Sequence, residues 1–258
     1  MARFNEIKRQ DGKVFLITGA NSGLGYETSK SLLEKGATII MCCRDLLKGE
    51  KAKQELLKLN YSGNIELVEL DLSDLNNVEK IAEFIKSKFN HLDVLINNAG
   101  IMAPPKTISK QGLEIQFAVN HLAHMFLTLK LLPMLEEKNN SRVVTVTSGV
   151  QYFGKIQWDD LQGNIKYDRW ASYAQSKLAN VMFGLELNSK LKENNSKTSS
   201  ILAHPGFART NLQTKSVEAN QLWQEKLAYK LMGPIFQSAR MGAMPQIVAA
   251  TLPSAKGG

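Results

Sequence analysis

The sequence predicts an α/β protein: one doubly wound parallel sheet in a three-layer αβα arrangement, folded as a single domain. Three observations carry this. Short apolar runs rich in β-formers alternate with stretches of helical periodicity, the pattern of successive βαβ units. The runs are continuously apolar rather than alternating, as expected of strands covered on both faces. The 258 residues, 43% of them hydrophobic, suffice for one such core, and no repeat, low-complexity tract or linker divides them.

In chain order, Val14–Thr18 (VFLIT) reads as the first strand and runs into glycine. Residues 24–35 have helical spacing and stop at Gly36. Thr38–Cys43 (TIIMCC) is the second strand, and Leu46–Leu59 a Lys/Glu-rich amphipathic helix. A third strand is predicted at Ile65–Leu70, then a helix capped by Ser73 and reaching about Phe89. Asp93–Asn97 (DVLIN) is the fourth strand, followed by a long helical region over Gln111–Glu137. Arg142–Thr147 (RVVTVT) is the fifth, Tyr173–Leu191 a helix, and Thr198–Ala203 the sixth strand.

Composition excludes whole classes. A disordered chain, a collagen and a disulfide scaffold do not have these proportions. The formal charge of +8 gathers in residues 1–60 and 186–258, with 61–185 near balance. No block of like charge marks a nucleic-acid or membrane arm, so the surplus reads as solvated lysine, with a phosphate-bearing ligand as the sharper alternative. The only cysteines, Cys42 and Cys43, are neighbours on one strand and point to opposite faces, which argues for a reducing compartment. The N-terminus has no apolar core of a signal peptide, and no apolar stretch approaches the length of a membrane span. The expectation is a soluble cytoplasmic protein with no metal. His121, His124 and His204 form no ligand set and read as packing or turn residues.

Between the first strand and first helix lies Gly19-Ala20-Asn21-Ser22-Gly23-Leu24-Gly25. Three glycines let the backbone turn sharply and approach a pyrophosphate, while the helix N-terminus offers free N–H groups and a positive dipole end. A tight turn alone would need one glycine. At the end of the second strand an acid bonds the adenosine 2′-hydroxyl and a base accepts a 2′-phosphate. Here Arg44 stands there, with Asp45 either competing or serving the next helix, so NADP(H) is favoured over NAD(H). Asp71, with Leu72, closes the third strand and could bond an adenine edge or cap a helix. Asn98, Ala99 and Gly100, following Asn97, close the fourth at the edge where ligands bind.

Tyr173 and Lys177 are four residues apart, one turn along one helix face. An ammonium there favours the phenolate and should bring the Tyr173 pKa toward neutrality, suiting proton exchange with a carbonyl oxygen. Ser148 ends the fifth strand and could hydrogen-bond the developing alkoxide. Asn120 lies in mid-helix, where an amide is a mediocre helix former, and reads as a packing or water-holding residue.

Together these residues resemble the short-chain dehydrogenase/reductase family over nearly the whole chain: TGANSGLG, Arg44, Asp71-Leu72, NNAG, Asn120, Ser148, YAQSK and His204-Pro205-Gly206. The stretches CCRD, Asn120-His121-Leu122-Ala123-His124 and HPG ending in Thr210 are similar to its retinol-dehydrogenase-like branch. The resemblance implies a Rossmann-type fold and a tetrad of Asn120, Ser148, Tyr173 and Lys177, with Asn120 holding a water next to Lys177. It also implies that Lys177 bonds the nicotinamide ribose and that Pro205, Gly206 and Thr210 contact the carboxamide. The implied activity is NADP(H)-dependent interconversion of an alcohol and a carbonyl on a small-molecule substrate. A catalytically silent NADP(H)-binding sensor or scaffold is the alternative. A homo-oligomer is compatible; nucleic acid is not an expected partner.

Trp158 and Trp170 fall in the stretch 149–172, which could line an apolar substrate pocket or pin an insert to the body. Residues 207–238, with Trp223 and Met232, lie where the family carries its substrate lid; Met241 and Met244 follow. The sequence stops at Gly258, where the family usually continues into a seventh strand; either the sequence is truncated there or this protein lacks the piece.

Overall fold

The structure is a computed structural model that describes residues 4–206 and 237–258. Its strands are β1 (Val14–Thr18), β2 (Thr38–Cys43), β3 (Asn64–Glu69), β4 (Val94–Asn97), β5 (Arg142–Val146) and β6 (Ser199–Ala203). They form one all-parallel sheet in the order β3-β2-β1-β4-β5-β6. The order reverses between β1 and β4, so the crossovers on either side diverge there. They leave a crevice at the C-terminal strand ends, the place where this architecture binds ligands.

The described helices are α1 (Gly23–Glu34), α2 (Leu46–Leu57), α3 (Leu75–Lys88), α4 (Ile115–Phe117), α5 (Ala123–Glu136), α6 (Arg169–Glu193) and α7 (Ala239–Thr251). Side-chain alternation along the strands feeds two separate cores. On one face Leu16, Ile40, Leu95 and Val143 pack with Val78 and Ala82 of α3, Leu127 and Leu131 of α5, and Leu187 of α6. On the other, Phe15, Ile17, Ile39, Met41 and Val144 meet Leu32 and Leu33 of α1, Leu56 of α2 and Ala249 of α7. Adjacent apolar residues therefore serve opposite layers, which is why the runs are continuous. Cys42 and Cys43 are free thiols: Cys42 lies within the first core, and the Cys43 sulfur lies where a side chain on Gly49 of α2 would stand.

Three helix boundaries differ from the sequence reading. Ser73 does not cap α3; Asp74 does, accepting from the Asn76 N–H, and Lys110 and Gln111 hold its carboxyl low, near about 2. The predicted helix over Gln111–Glu137 begins only at Ile115, because Gly112 sits at φ +77 in a turn and Glu114 caps α4. Between α4 and α5 the chain widens into a π-helical turn, Ala118–Leu122. Helix α6 starts one turn earlier than predicted, at Arg169, because the Asp168 side chain accepts from the Ala171 N–H.

Candidate active site

The glycine loop is built by close approach. Gly19 (φ +65) and Gly23 (φ +54) are left-handed, and a Cβ on Gly25 would stand 2.3 Å from the Gly19 carbonyl oxygen. The loop is tied back to β2 by the Ala20 N–H on the Cys42 carbonyl, 3.2 Å. Ser22 is the N-cap of α1 yet its side chain caps nothing, and the first turn carries no acid, so the helix start presents uncommitted N–H groups. Asn21 and Leu24 complete the turn. The Asn98 amide donates to the Thr18 carbonyl at 2.7 Å, and the Thr18 hydroxyl oxygen accepts the Asn98 and Ala99 N–H groups, each at 2.9 Å. Gln246 of α7 reaches in to Thr28 and to the Asn98 side-chain oxygen. The Asn98 side chain is thus a brace between β1 and β4.

Arg44 is exposed at the end of β2 and pairs with no described residue. Asp45 is committed elsewhere: it caps α2 by accepting from the Lys48 N–H and pairs with the Lys48 ammonium, which holds its carboxyl below the usual range. Asp71 is also committed, accepting from the Ser73 N–H and hydroxyl. Leu72 is buried against the first core.

At the ends of β5 and α6, three of the predicted residues meet. The Ser148 side chain lies close enough to the Tyr173 hydroxyl to lower its pKa, and the Lys177 Nζ lies 5.9 Å from the Tyr173 ring centroid and donates to the Val146 carbonyl at 3.3 Å. Tyr173 and Lys177 are each 4% exposed. Burial dominates both titrations. Tyr173 is pushed up to about 12, with Ser148 pulling the other way, and Lys177 is pushed down to about 8. The expected fall of the Tyr173 pKa toward neutrality is therefore corrected: in the protein alone, burial raises it and outweighs the lowering by Ser148.

Asn120 sits in the π-helical turn and is fully buried. Its Oδ1 accepts from the Ile101 N–H (2.8 Å), and its Nδ2 donates to the Ile101 carbonyl (2.9 Å) and the Ser176 hydroxyl (3.0 Å). A Cβ on Gly100 would lie 3.2 Å from Asn120 Oδ1 and 3.6 Å from Lys177 Nζ, so both groups face one point of the backbone. With both amide protons already donated to protein oxygens, the side chain does the packing work that is one of the two roles the sequence offers.

Pro205 and Gly206 follow β6. Gly206, at φ +66, donates its N–H to His204 Nδ1, and Gln237 donates to the Pro205 carbonyl. Thr210, Trp223 and Met232 lie outside the described residues. In 149–172 Tyr152, Phe153 and Trp158 are 80%, 88% and 71% exposed and pin nothing, Trp170 is 43% exposed, and Tyr167 is partly buried with its hydroxyl on Glu114. Polar contacts do the pinning. Gln175 bonds the Gln157 N–H and the Leu161 carbonyl, and buried Gln116 holds Ala103, Tyr167 and Arg169. Sequence reasoning missed Thr18, Ser176 and Asn180. The last two share the helix face of Tyr173 and Lys177 at three- and four-residue spacing, a signal that was available.

An α/β oxidoreductase of Rossmann type is the class this combination defines. The family model for short chain dehydrogenases matches residues 13–221. Retinol dehydrogenase 12 of Bos taurus is 39% identical over 236 residues, covering 92% of this chain and 72% of the relative. The crystal structure of a putative uncharacterized protein from Mycobacterium Paratuberculosis superposes with a TM-score of 0.79 at 37% identity, over 99% of this chain and 82% of the other. The Pseudomonas aeruginosa RhlG/NADP active-site complex shares the fold at 21% identity, with a TM-score of 0.73 over 96% and 93%. The chain belongs to the short-chain dehydrogenase/reductase family, in its retinol-dehydrogenase-like branch, and is an oxidoreductase acting on CH–OH groups.

Proposed function

We propose that this protein interconverts an apolar alcohol and its aldehyde or ketone using NADP(H), with Tyr173 as the general acid/base. The observation that carries the reading is the cluster of half-buried Ser148 with buried Tyr173 and Lys177 at the sheet edge. The residues fit a dinucleotide. Gly19 and Gly23 take the left-handed turns and Gly25 allows the loop to close against Gly19, and the uncapped start of α1 suits a pyrophosphate. Arg44 is free to take a 2′-phosphate, while Asp45 is already neutralised by Lys48. Asn98 to Gly100, Tyr173, Lys177, Pro205 and Gly206 complete the set that would hold it. When bound, the cofactor supplies or accepts the hydride at its nicotinamide ring.

The chain's own residues handle the oxygen and its proton. Ser148 orients the substrate oxygen next to the Tyr173 hydroxyl. Tyr173 holds its proton throughout the neutral range, which suits donation to a carbonyl oxygen and hence the reductive direction. Lys177, cationic below about pH 8, stabilises the phenolate that donation leaves behind. Tyr152, Phe153 and Trp158 are exposed on the segment that leads from Ser148 toward Tyr173, which supports a sizeable apolar substrate.

Tyr173→Phe tests this. NADPH oxidation over a panel of apolar aldehydes and ketones should fall about 1,000-fold or more, with NADPH affinity within about threefold of wild type. Undiminished turnover in the variant would overturn the assignment, and a wild type silent on the whole panel would favour a cofactor-binding sensor.

A further inference from the structure

His124, on the first turn of α5, is 2% exposed. Both ring nitrogens are engaged. Nδ1 faces the main-chain carbonyl of Asn120 at 3.1 Å, an atom that can only accept, so Nδ1 carries the proton. Nε2 is then an acceptor, and it lies 2.9 Å from the Thr18 hydroxyl, much closer than that hydroxyl's other acceptor, the Ile96 carbonyl at 3.4 Å. Burial holds the ring near about 4, so this neutral tautomer persists across the physiological range.

The two bonds end on the two working parts of the site. The Thr18 hydroxyl oxygen takes the Asn98 and Ala99 N–H groups, and the Thr18 carbonyl takes the Asn98 amide, so Thr18 is the knot between the glycine loop and the turn after β4. The Asn120 carbonyl is gripped by His124 Nδ1 and by Asn180 Nδ2 at 3.0 Å. That grip holds a π-helical turn, a wider and weaker form than an α turn, whose Asn120 side chain faces the same point of Gly100 as Lys177 Nζ. A core position of this depth could be filled by a phenylalanine or leucine with no polar group to desolvate.

We propose that His124 is a positioning residue: a neutral two-ended strut that couples the dinucleotide loop, through Thr18, to the seat of Asn120 and Lys177. The inference rests on the proposed function only for its turnover readout. Three substitutions separate the ends. His124→Phe keeps the volume and loses both bonds; turnover should fall about 30-fold and NADPH Kd rise about tenfold, the scale of one buried hydrogen bond at each end. An amide at the Nδ1 position, His124→Asn, keeps only the Asn120 end, so turnover should recover to within about fivefold while NADPH binding stays weak. His124→Gln reaches the Nε2 position and keeps only the Thr18 end, with the opposite result.

This crossing of kcat against NADPH Kd is what a merely structural role would not produce. Equal effects in the Asn and Gln variants that track their Tm would overturn the strut. So would a folded His124→Phe with wild-type kcat and Kd. A wild type inert on every carbonyl tested would count against the proposed function instead, and the Asn-against-Gln difference in NADPH Kd would still decide the strut.

Discussion

The two halves of the sheet solve different problems with different parts of the chain. The β1–β3 half shapes its ligand region with backbone: glycines at 19, 23 and 25, an uncapped helix start, and a strand end where Arg44 pairs with none of the described residues. The β4–β6 half works with buried side chains anchored to their neighbours: Asn120 to the Ser176 hydroxyl and the Ile101 carbonyl, Lys177 to the Val146 carbonyl, and Tyr173 close to Ser148. A backbone surface tolerates almost no added atom but depends little on charge. A buried polar cluster tolerates changes of shape but is sensitive to protonation and to lost partners.

Substitutions can break that contrast in order of size. The largest effect belongs to Gly25→Ala, whose Cβ would meet the Gly19 carbonyl at 2.3 Å, a backbone atom that cannot swing aside. Overpacking of this kind costs about 1–3 kcal/mol, and because the strain falls on the loop itself, NADPH affinity should drop about 100-fold in a titration. A variant that binds NADPH normally would show that the loop has slack the structure does not suggest.

Next comes protonation in the other half. Lys177 has a pKa near about 8 in the folded protein, below the ordinary lysine value of 10.5. Between those values the unfolded chain holds more protons than the native one, so folding stability rises with pH, by up to about 1.4 kcal/mol per unit. In Lys177→Met that contribution is absent. Denaturant unfolding from pH 8 to 10 should therefore show the wild type gaining stability relative to the variant; parallel curves would mean that Lys177 is solvated. Above pH 10 the raised Tyr173 works in the opposite direction, because there the folded state holds the extra proton.

The smallest and most selective effect is expected from Arg44→Ala. Losing one exposed charge-assisted contact should weaken NADPH about tenfold and leave NADH unchanged. Equal losses for the two would remove Arg44 from the 2′-phosphate.

Much of this was legible in the sequence. The spans of β1 and β2 were readable to the residue because VFLIT and TIIMCC feed both cores and cannot be mistaken for amphipathic segments. Tyr173, Lys177 and Ser148 were legible because helical spacing and strand ends are local properties. What stayed hidden was the wiring. The π-helical turn at Asn120 is held by His124 and Asn180, and the second of these lies sixty residues away in sequence. The start of α4 depended on Gly112 taking a left-handed conformation, which a periodicity count does not register. Asp74 displaced Ser73 as the cap because Lys110 and Gln111 arrive from a distant loop. Lysine at four-residue spacing implied an acidified tyrosine, but burial, which no spacing reveals, moved Tyr173 the other way.

The cap of α2 has an evolutionary consequence. Asp45 is quiet next to Arg44 in large part because the solvent-exposed Lys48 ammonium pairs with it. Position 48 touches neither core, so a single neutral replacement there would keep the backbone cap yet leave the Asp45 charge unpaired beside Arg44. Coenzyme preference in this lineage can therefore drift through one surface residue, independently of folding stability.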